Sequence, residues 1–212
     1  MNKQELIESL KKQYKRFATD IEILNEAEFM KAPTDKWTAG QQLDHLCRAL
    51  FPLIWGLRLP IIIPRLLFGK AKRPSKSYQD LVDKYLQKIA EGAKASGPYL
   101  PPRAVPFFKK KALLKKLQYS IERICKSLNK YTEKQLDQMI LPHPLLGKVT
   151  LREMMYFTAY HAEHHRQSIE KGLSGWGAFT QPISEANSSF VPCSGEYSCS
   201  RSPKNIASVF NQ

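Results

Sequence analysis

Three of the five histidines in this 212-residue chain, His161, His164 and His165, fall within five residues. They lie in a stretch, Thr150 to Lys171, whose residues Leu151, Met154, Met155, Thr158, Ala162 and Ile169 recur near the 3.6-residue period of a helix that buries one stripe. Thr150 followed by Glu153 is a capping-box pair, so the helix is expected to start there. His161 and His165 belong to the buried stripe. Residues four apart on a helix hold their Cβ atoms about 5–6 Å from each other, which lets two imidazoles grip one metal ion. A catalytic zinc site takes three protein ligands and keeps a fourth position open for water or substrate, so this chemistry requires a third donor from another element. His164 projects to the other side of His161 from His165, and spacing alone leaves it in contention for the second ligand position. Two plainer readings compete: hydrogen-bonded core histidines, and a solvated, pH-sensitive helix face.

The strong candidate for that third donor is His45. Thr38 and Gln41 form another capping pair, opening a helix over about 39–51 with the apolar stripe Leu43, Leu46, Leu50 and Leu53, which His45 flanks. Pro52 is expected to kink or end it. Cys47, two residues from His45, points away and is a poor fourth ligand. Two further long amphipathic helices are predicted. One covers about 3–24, with Leu6, Leu10, Tyr14, Phe17, Ile21 and Leu24 in phase. The other covers about 108–131, with Leu113, Leu117, Ile121, Ile124, Leu128 and Tyr131 in phase. A shorter helix follows Ser77. Residues 25–37 read as a loop, 46–68 as a buried loop or short helices, and no strand pattern is convincing. The expected architecture is an all-α four-helix bundle with an irregular insertion between the second and third long helices. Bundles place metal sites in their core from side chains on facing helices.

A hydrophobic content of 42% supports a proper core, and the length suits one domain over 1–171 with an appendage over 172–212. That appendage is rich in Ser, Gly, Pro and Asn and lacks helical periodicity, so it is expected to be disordered. The amino terminus enters an amphipathic pattern directly, without a signal-peptide pattern, and four scattered cysteines lack any Cys-x-x-Cys pair. Both features point to a reducing cytoplasm. The formal charge of +14 belongs to residues 1–171, because Arg201 and Lys204 balance Glu185 and Glu196 beyond it. Such charge permits attraction to nucleic acid, anionic lipid or acidic small molecules without choosing among them. No nucleic-acid motif accompanies it, and Arg48, Arg58 and Arg65 interrupt the apolar run 46–68 before it could span a membrane. A peripheral membrane contact by that basic, apolar segment stays open.

Two metal chemistries are excluded by spacing. Di-iron bundles need Glu-x-x-His on two helices, and the positions three before His161, His164 and His165 are Thr158, His161 and Ala162. In His161-Ala-Glu-His-His165 the acid stands two residues after the first histidine rather than one, which turns Glu163 off the ligand face of a zincin.

Trp37-Thr-Ala-Gly-Gln-Gln-Leu-Asp-His45-Leu, and still more His143-Pro-Leu-Leu-Gly-Lys-Val-Thr-Leu-Arg-Glu-Met-Met-Tyr-Phe-Thr-Ala-Tyr-His161-Ala-Glu-His-His165, resemble the DinB/YfiT-like metalloenzyme family over residues 1–171. The resemblance implies a four-helix bundle holding one divalent metal, nickel or zinc, through His45, His161 and His165. It leaves His164 as a neighbour able to donate a hydrogen bond near the open position. It also implies a metal-dependent hydrolase, or a transferase using a low-molecular-weight thiol such as bacillithiol, mycothiol or glutathione, with a small-molecule substrate and a homodimer as expected partners. The Pro-rich insertion and the segment after 171 depart from the family pattern. Two alternatives accompany this reading: a bundle in which metal only staples two helices of a structural or stress-associated dimer, and a basic binder of nucleic acid or membrane surfaces.

Overall fold

The computed structural model describes residues 1–33 and 36–174. Four long helices form the bundle: α1 (Lys3–Ile23), α3 (Ala39–Gly56), α6 (Lys110–Leu128) and α8 (Leu151–Leu173). Three of them start at complete capping boxes, Asn2 with Glu5, Thr38 with Gln41, and Thr150 with Glu153. Each box satisfies backbone N–H groups that a helix start leaves without partners. The fourth, α6, has no side-chain cap and grows from a 3-10 turn at Phe107–Lys109. Lys110 ties it to the end of α1, its Nζ donating to the carbonyls of Glu22 (2.9 Å) and Leu24 (2.7 Å). Helix α1 packs on both α6 and α8, and α3 packs on α6 and also reaches α8. The core between them takes the stripes expected from the sequence, including Leu6, Leu10 and Phe17, Leu43 and Leu46, and Leu117, Ile124 and Leu128.

Several expectations are corrected. The predicted loop 25–37 contains a short helix, α2 (Glu26–Met30), whose capping box pairs Asn25 with Glu28 and whose Phe29 is fully buried. Helix α3 runs through Pro52 to Gly56 instead of stopping. The proline is exposed, where water can take up the Arg48 carbonyl that loses its donor. Of the two readings of 46–68, the short helix holds and the burial does not: after α3 the segment forms α4 (Ile62–Phe68), and much of its apolar surface faces outward. Helix α5 (Tyr78–Ala90) lies on α8, and α7 (Glu133–Gln138) precedes a hairpin of β1 (Ile140–His143) and β2 (Gly147–Thr150). The strands pair antiparallel, with His143 opposite Gly147. Gly147 closes the turn at φ +75°, a conformation open to glycine, and short irregular β1 was hidden by Pro142. Helix α8 continues to Leu173, which is buried, so Gly172 and Leu173 belong to the helix. The remaining tail expectation, with Cys193 and Cys199, lies outside the described residues. Among the described residues no helix is long and apolar enough to cross a membrane.

The start of α8 is fixed by a buried carboxylate. Glu153 is fully buried and accepts from the backbone N–H of Thr150 (2.9 Å) and Lys76 (2.7 Å), and from Arg73 (Nη2–Oε2 2.8 Å). Those partners hold the carboxyl below its ordinary range against the opposing effect of burial, which is the largest single influence. Beside it Arg152 donates to Asp137, to Glu133 and to the carbonyl of Met1. Removing one member of a buried charged pair leaves its partners desolvated and unpaired. Glu153→Ala is therefore expected to lower unfolding free energy by about 2–4 kcal/mol in urea titration, toward the lower end because Arg73 is half exposed and can rehydrate. Glu91→Ala, which removes an exposed pair with Lys88, is expected to leave the midpoint unchanged.

Candidate metal centre

Helix α3 places His45, and α8 places His161 and His165, so that all three rings are buried and their ligand-capable atoms lie within 4.8 Å of one another. The Nε2 atom of His161 stands 3.2 Å from that of His45 and 3.0 Å from that of His165. Four-coordinate tetrahedral ligation with bonds of about 2.0–2.1 Å sets donor nitrogens roughly 3.3 Å apart, close to these separations.

The outward nitrogens determine what faces inward. His45 Nδ1 lies 2.7 Å from the carbonyl oxygen of Tyr99, which can only accept, so the proton of this ring is on Nδ1 and Nε2 carries a lone pair. His165 Nδ1 lies 2.9 Å from Gln42 Oε1, and Gln42 is oriented by its own Nε2 donating to the Trp37 carbonyl at 3.2 Å. The proton of His165 therefore also sits on Nδ1. Three converging nitrogens then share at most the one proton of neutral His161. Burial pushes all three imidazoles toward the neutral form, most strongly His161 and His165, where the neighbouring rings add to the effect. A second proton is thus opposed, whereas a cation placed among three lone pairs resolves their repulsion. Neutral imidazole with its far N–H held by a carbonyl is the state in which histidine ligates metal. The residues present fit a divalent transition-metal ion.

The cluster lines a cavity of about 650 Å³. His164 lines it too, with its ring 5.6 Å from that of Tyr85 and 5.3 Å from that of His165, but it is not among the three converging rings. Burial pushes it down to about 4. The spacing argument left His164 and His165 in competition, and the position of His45 brings His165 into the cluster. The insertion between the second and third long helices contributes cavity wall as well as the Tyr99 carbonyl, and Gln41 pins it by donating to the carbonyls of Pro102 and Arg103.

Four contributors escaped the sequence reading. Gln42 lies one helical turn before His45, which is a signal that it shares that face. Trp37 stacks on the His165 ring at 8° with centroids 6.3 Å apart. Tyr14 lines the cavity with a buried hydroxyl that has no hydrogen-bond partner among the described residues, and burial raises its pKa so that it stays a donor. His143 accepts from the backbone N–H of Leu145 (3.2 Å) and Leu146 (3.1 Å) through Nδ1, which leaves its proton on Nε2. Cys47 and Cys125 are free and buried, their thiols pushed up to about 12 and about 11, so neither supplies a thiolate.

His143 is also pushed down to about 4 by burial. An unfolded chain binds that proton near pH 6.5 and the folded chain refuses it, so stability is complete above about 6.5 and falls as pH drops toward 4. Each such group costs about 1.4 kcal/mol per pH unit in that window. Metal-free protein is expected to lose urea resistance from pH 7 to pH 5. His143→Asn, whose side-chain oxygen can accept the same turn N–H groups, is expected to make that slope shallower; an unchanged slope would show that His143 does not titrate in this way.

A search of curated proteins gives no match. The structure is similar to that of YfiT from Bacillus subtilis, with 17% sequence identity, a TM-score of 0.53, and coverage of 82% of this chain and 87% of that one. That likeness concerns the fold; YfiT is described as a probable metal-dependent hydrolase with an unusual four-helix bundle topology. The family model of the DinB superfamily matches residues 3–169, and this chain belongs to that superfamily.

Proposed function

We propose that this protein is a divalent-metal-dependent enzyme that holds its ion through His45, His161 and His165 and works on a small molecule bound in the adjoining cavity. The observation that carries the reading is the convergence of three neutral imidazoles, two with protonation fixed by Tyr99 and Gln42, at the wall of a large cavity. An ion held there by neutral ligands keeps its positive charge and lowers the pKa of a water or thiol in its open position. The chain's own residues then have separable roles. Gln42 and the Tyr99 carbonyl orient two ligands. Trp37 and Phe157 pack on the rings and exclude water. The hydroxyl of Tyr14 and the Nε2–H of His143 offer donors to a bound substrate.

Two nucleophiles suit this site. Among the described residues no carboxylate lines the cavity, so no acidic side chain is available as general base, and His164 is a weak one. A thiol is far more acidic than water and, bound to the ion, would release its proton to solvent without a protein base, which favours attack of the thiolate of a low-molecular-weight thiol on an electrophilic carbon whose leaving group departs with the bonding electrons. Lys36 and Lys94 at the cavity wall suit an anionic thiol. Hydrolysis is the second reading, supported by the description of YfiT.

Protein purified without a histidine tag is expected to carry about one divalent ion per chain by elemental analysis. His45→Ala, His161→Ala and His165→Ala are expected to lose it, and His164→Ala to keep it. An apo His164 variant beside a loaded His165 variant would falsify the ligand assignment.

The nucleophile is tested by incubating metal-loaded protein with a panel of activated esters, aryl halides and epoxides, with and without glutathione or bacillithiol. Turnover only with thiol supports transfer, and turnover in water alone supports hydrolysis. Loaded protein inactive under both conditions across the panel would favour a purely structural ion.

A further inference from the structure

We propose that the end of α3 and helix α4 form a docking surface for a lipid bilayer carrying anionic headgroups. The segment leaves large apolar side chains in solvent: Phe51 and Trp55, one turn apart on α3, then Leu59, Ile62, Leu66 and Leu67, the last two 78% and 66% exposed. Contiguous exposed apolar residues on a soluble fold mark a contact surface. The chemistry around them selects the partner. From His45 to Gln79 the chain contains no acidic residue and seven basic ones. Arg48 pairs with Asp44 and Arg73 with Glu153, but Arg58, Arg65, Lys70, Lys72 and Lys76 have no acidic salt-bridge partner among the described residues.

Apolar side chains on a segment whose cations lack acidic partners match an anionic interface, where the first enter the acyl boundary and the second meet phosphate. Arg58 lies over the Trp55 ring at 5.1 Å, which places an aromatic and a cation together at one level, as headgroup-depth residues require. A second copy of this chain brings the same positive charge to the contact and is a poorer complement. The surface also adjoins the cavity, because Leu59 and Leu67 both line it, so docking sets the cavity mouth against the lipid. The inference does not depend on the metal.

The test is flotation of the full chain with vesicles of phosphatidylcholine alone or with about one-quarter phosphatidylglycerol. The protein is expected to float with the anionic vesicles and to retain part of that binding at about 0.5 M salt, where surface charge is screened but apolar insertion is not. Leu66→Ser/Leu67→Ser, which changes no charge and removes only exposed side chains, is expected to keep the wild-type melting temperature and to lower the partition coefficient roughly tenfold or more. Phe108→Ser, at an equally exposed position outside the segment, is expected to float as wild type. The proposal is overturned by an unchanged double variant, by an equal loss in the Phe108 variant, or by complete release of wild type at high salt, which would indicate adsorption by net charge. Failure of the full chain to float overturns it as well. So does sedimentation showing a dimer that the double variant abolishes, since a second copy would then own the face.

Discussion

Three imidazole nitrogens meet inside a helical bundle with at most one proton among them, and the rest of the structure holds them there. Left free, each ring would turn a nitrogen toward water or accept a proton. Neither is open to these rings, because burial disfavours the charged form and the outward nitrogens of His45 and His165 are already engaged. The hydrogen bonds come from different parts of the chain. Tyr99 belongs to the connection before α6, and Gln42 belongs to α3 while serving a histidine of α8. The cluster therefore couples two helices and a loop, and its geometry is a property of the bundle rather than of the histidine helix alone.

Axial position matters as much as ring orientation. A one-residue slip of α8 along its axis is about 1.5 Å, enough to spoil nitrogen separations of 3.0–3.2 Å. The first turn of α8 is accordingly tied down from several directions. Glu153 joins it to the connection before α5, and Arg152 joins it to α7 and to the chain start. Lys84 adds a link from α5 to the hairpin, donating to the Leu146 carbonyl at 3.1 Å. His161 lies about three turns beyond that anchored end. At its other end α8 is braced by Arg166, which bonds Glu163 and Glu170 on its own helix and Asp20 of α1.

The long helices were legible because their stripes are regular and two of their starts, Thr38 with Gln41 and Thr150 with Glu153, carry capping pairs readable in the sequence, whereas the Asn2–Glu5 box of α1 emerged only in the structure. The pair His161 and His165 was legible for the same reason, since periodicity says which residues share a face. What periodicity cannot supply is the angle between two helices, so His164 stayed in competition until α3 was in place. The short elements were hidden for local reasons. Five-residue α2 offers less than two turns of pattern, and β1 contains a proline. Pro52 suggested a helix end because a lost hydrogen bond is costly in a core, but this proline is at the surface. Gln42 and Tyr99 act through a side-chain amide and a backbone carbonyl, groups that every sequence contains and that only tertiary contact makes specific.

The departure of residues 46–68 from expectation has a different cause. Apolar residues normally signal burial, since covering one leucine gains roughly 1.5–3 kcal/mol. The rule assumes that a partner surface exists within the chain. Helix α4 packs one side against β1 and, among the described residues, leaves Leu66 and Leu67 exposed, even though Leu67 also borders the cavity that the three histidines line. The unpaired cations of this segment follow from its acid-free composition, while acidic residues elsewhere are used to anchor helices. Carboxylates such as Glu153, Asp137 and Asp20 hold helices together, whereas the stretch from His45 to Gln79 supplies seven cations and no carboxylate of its own to pair them.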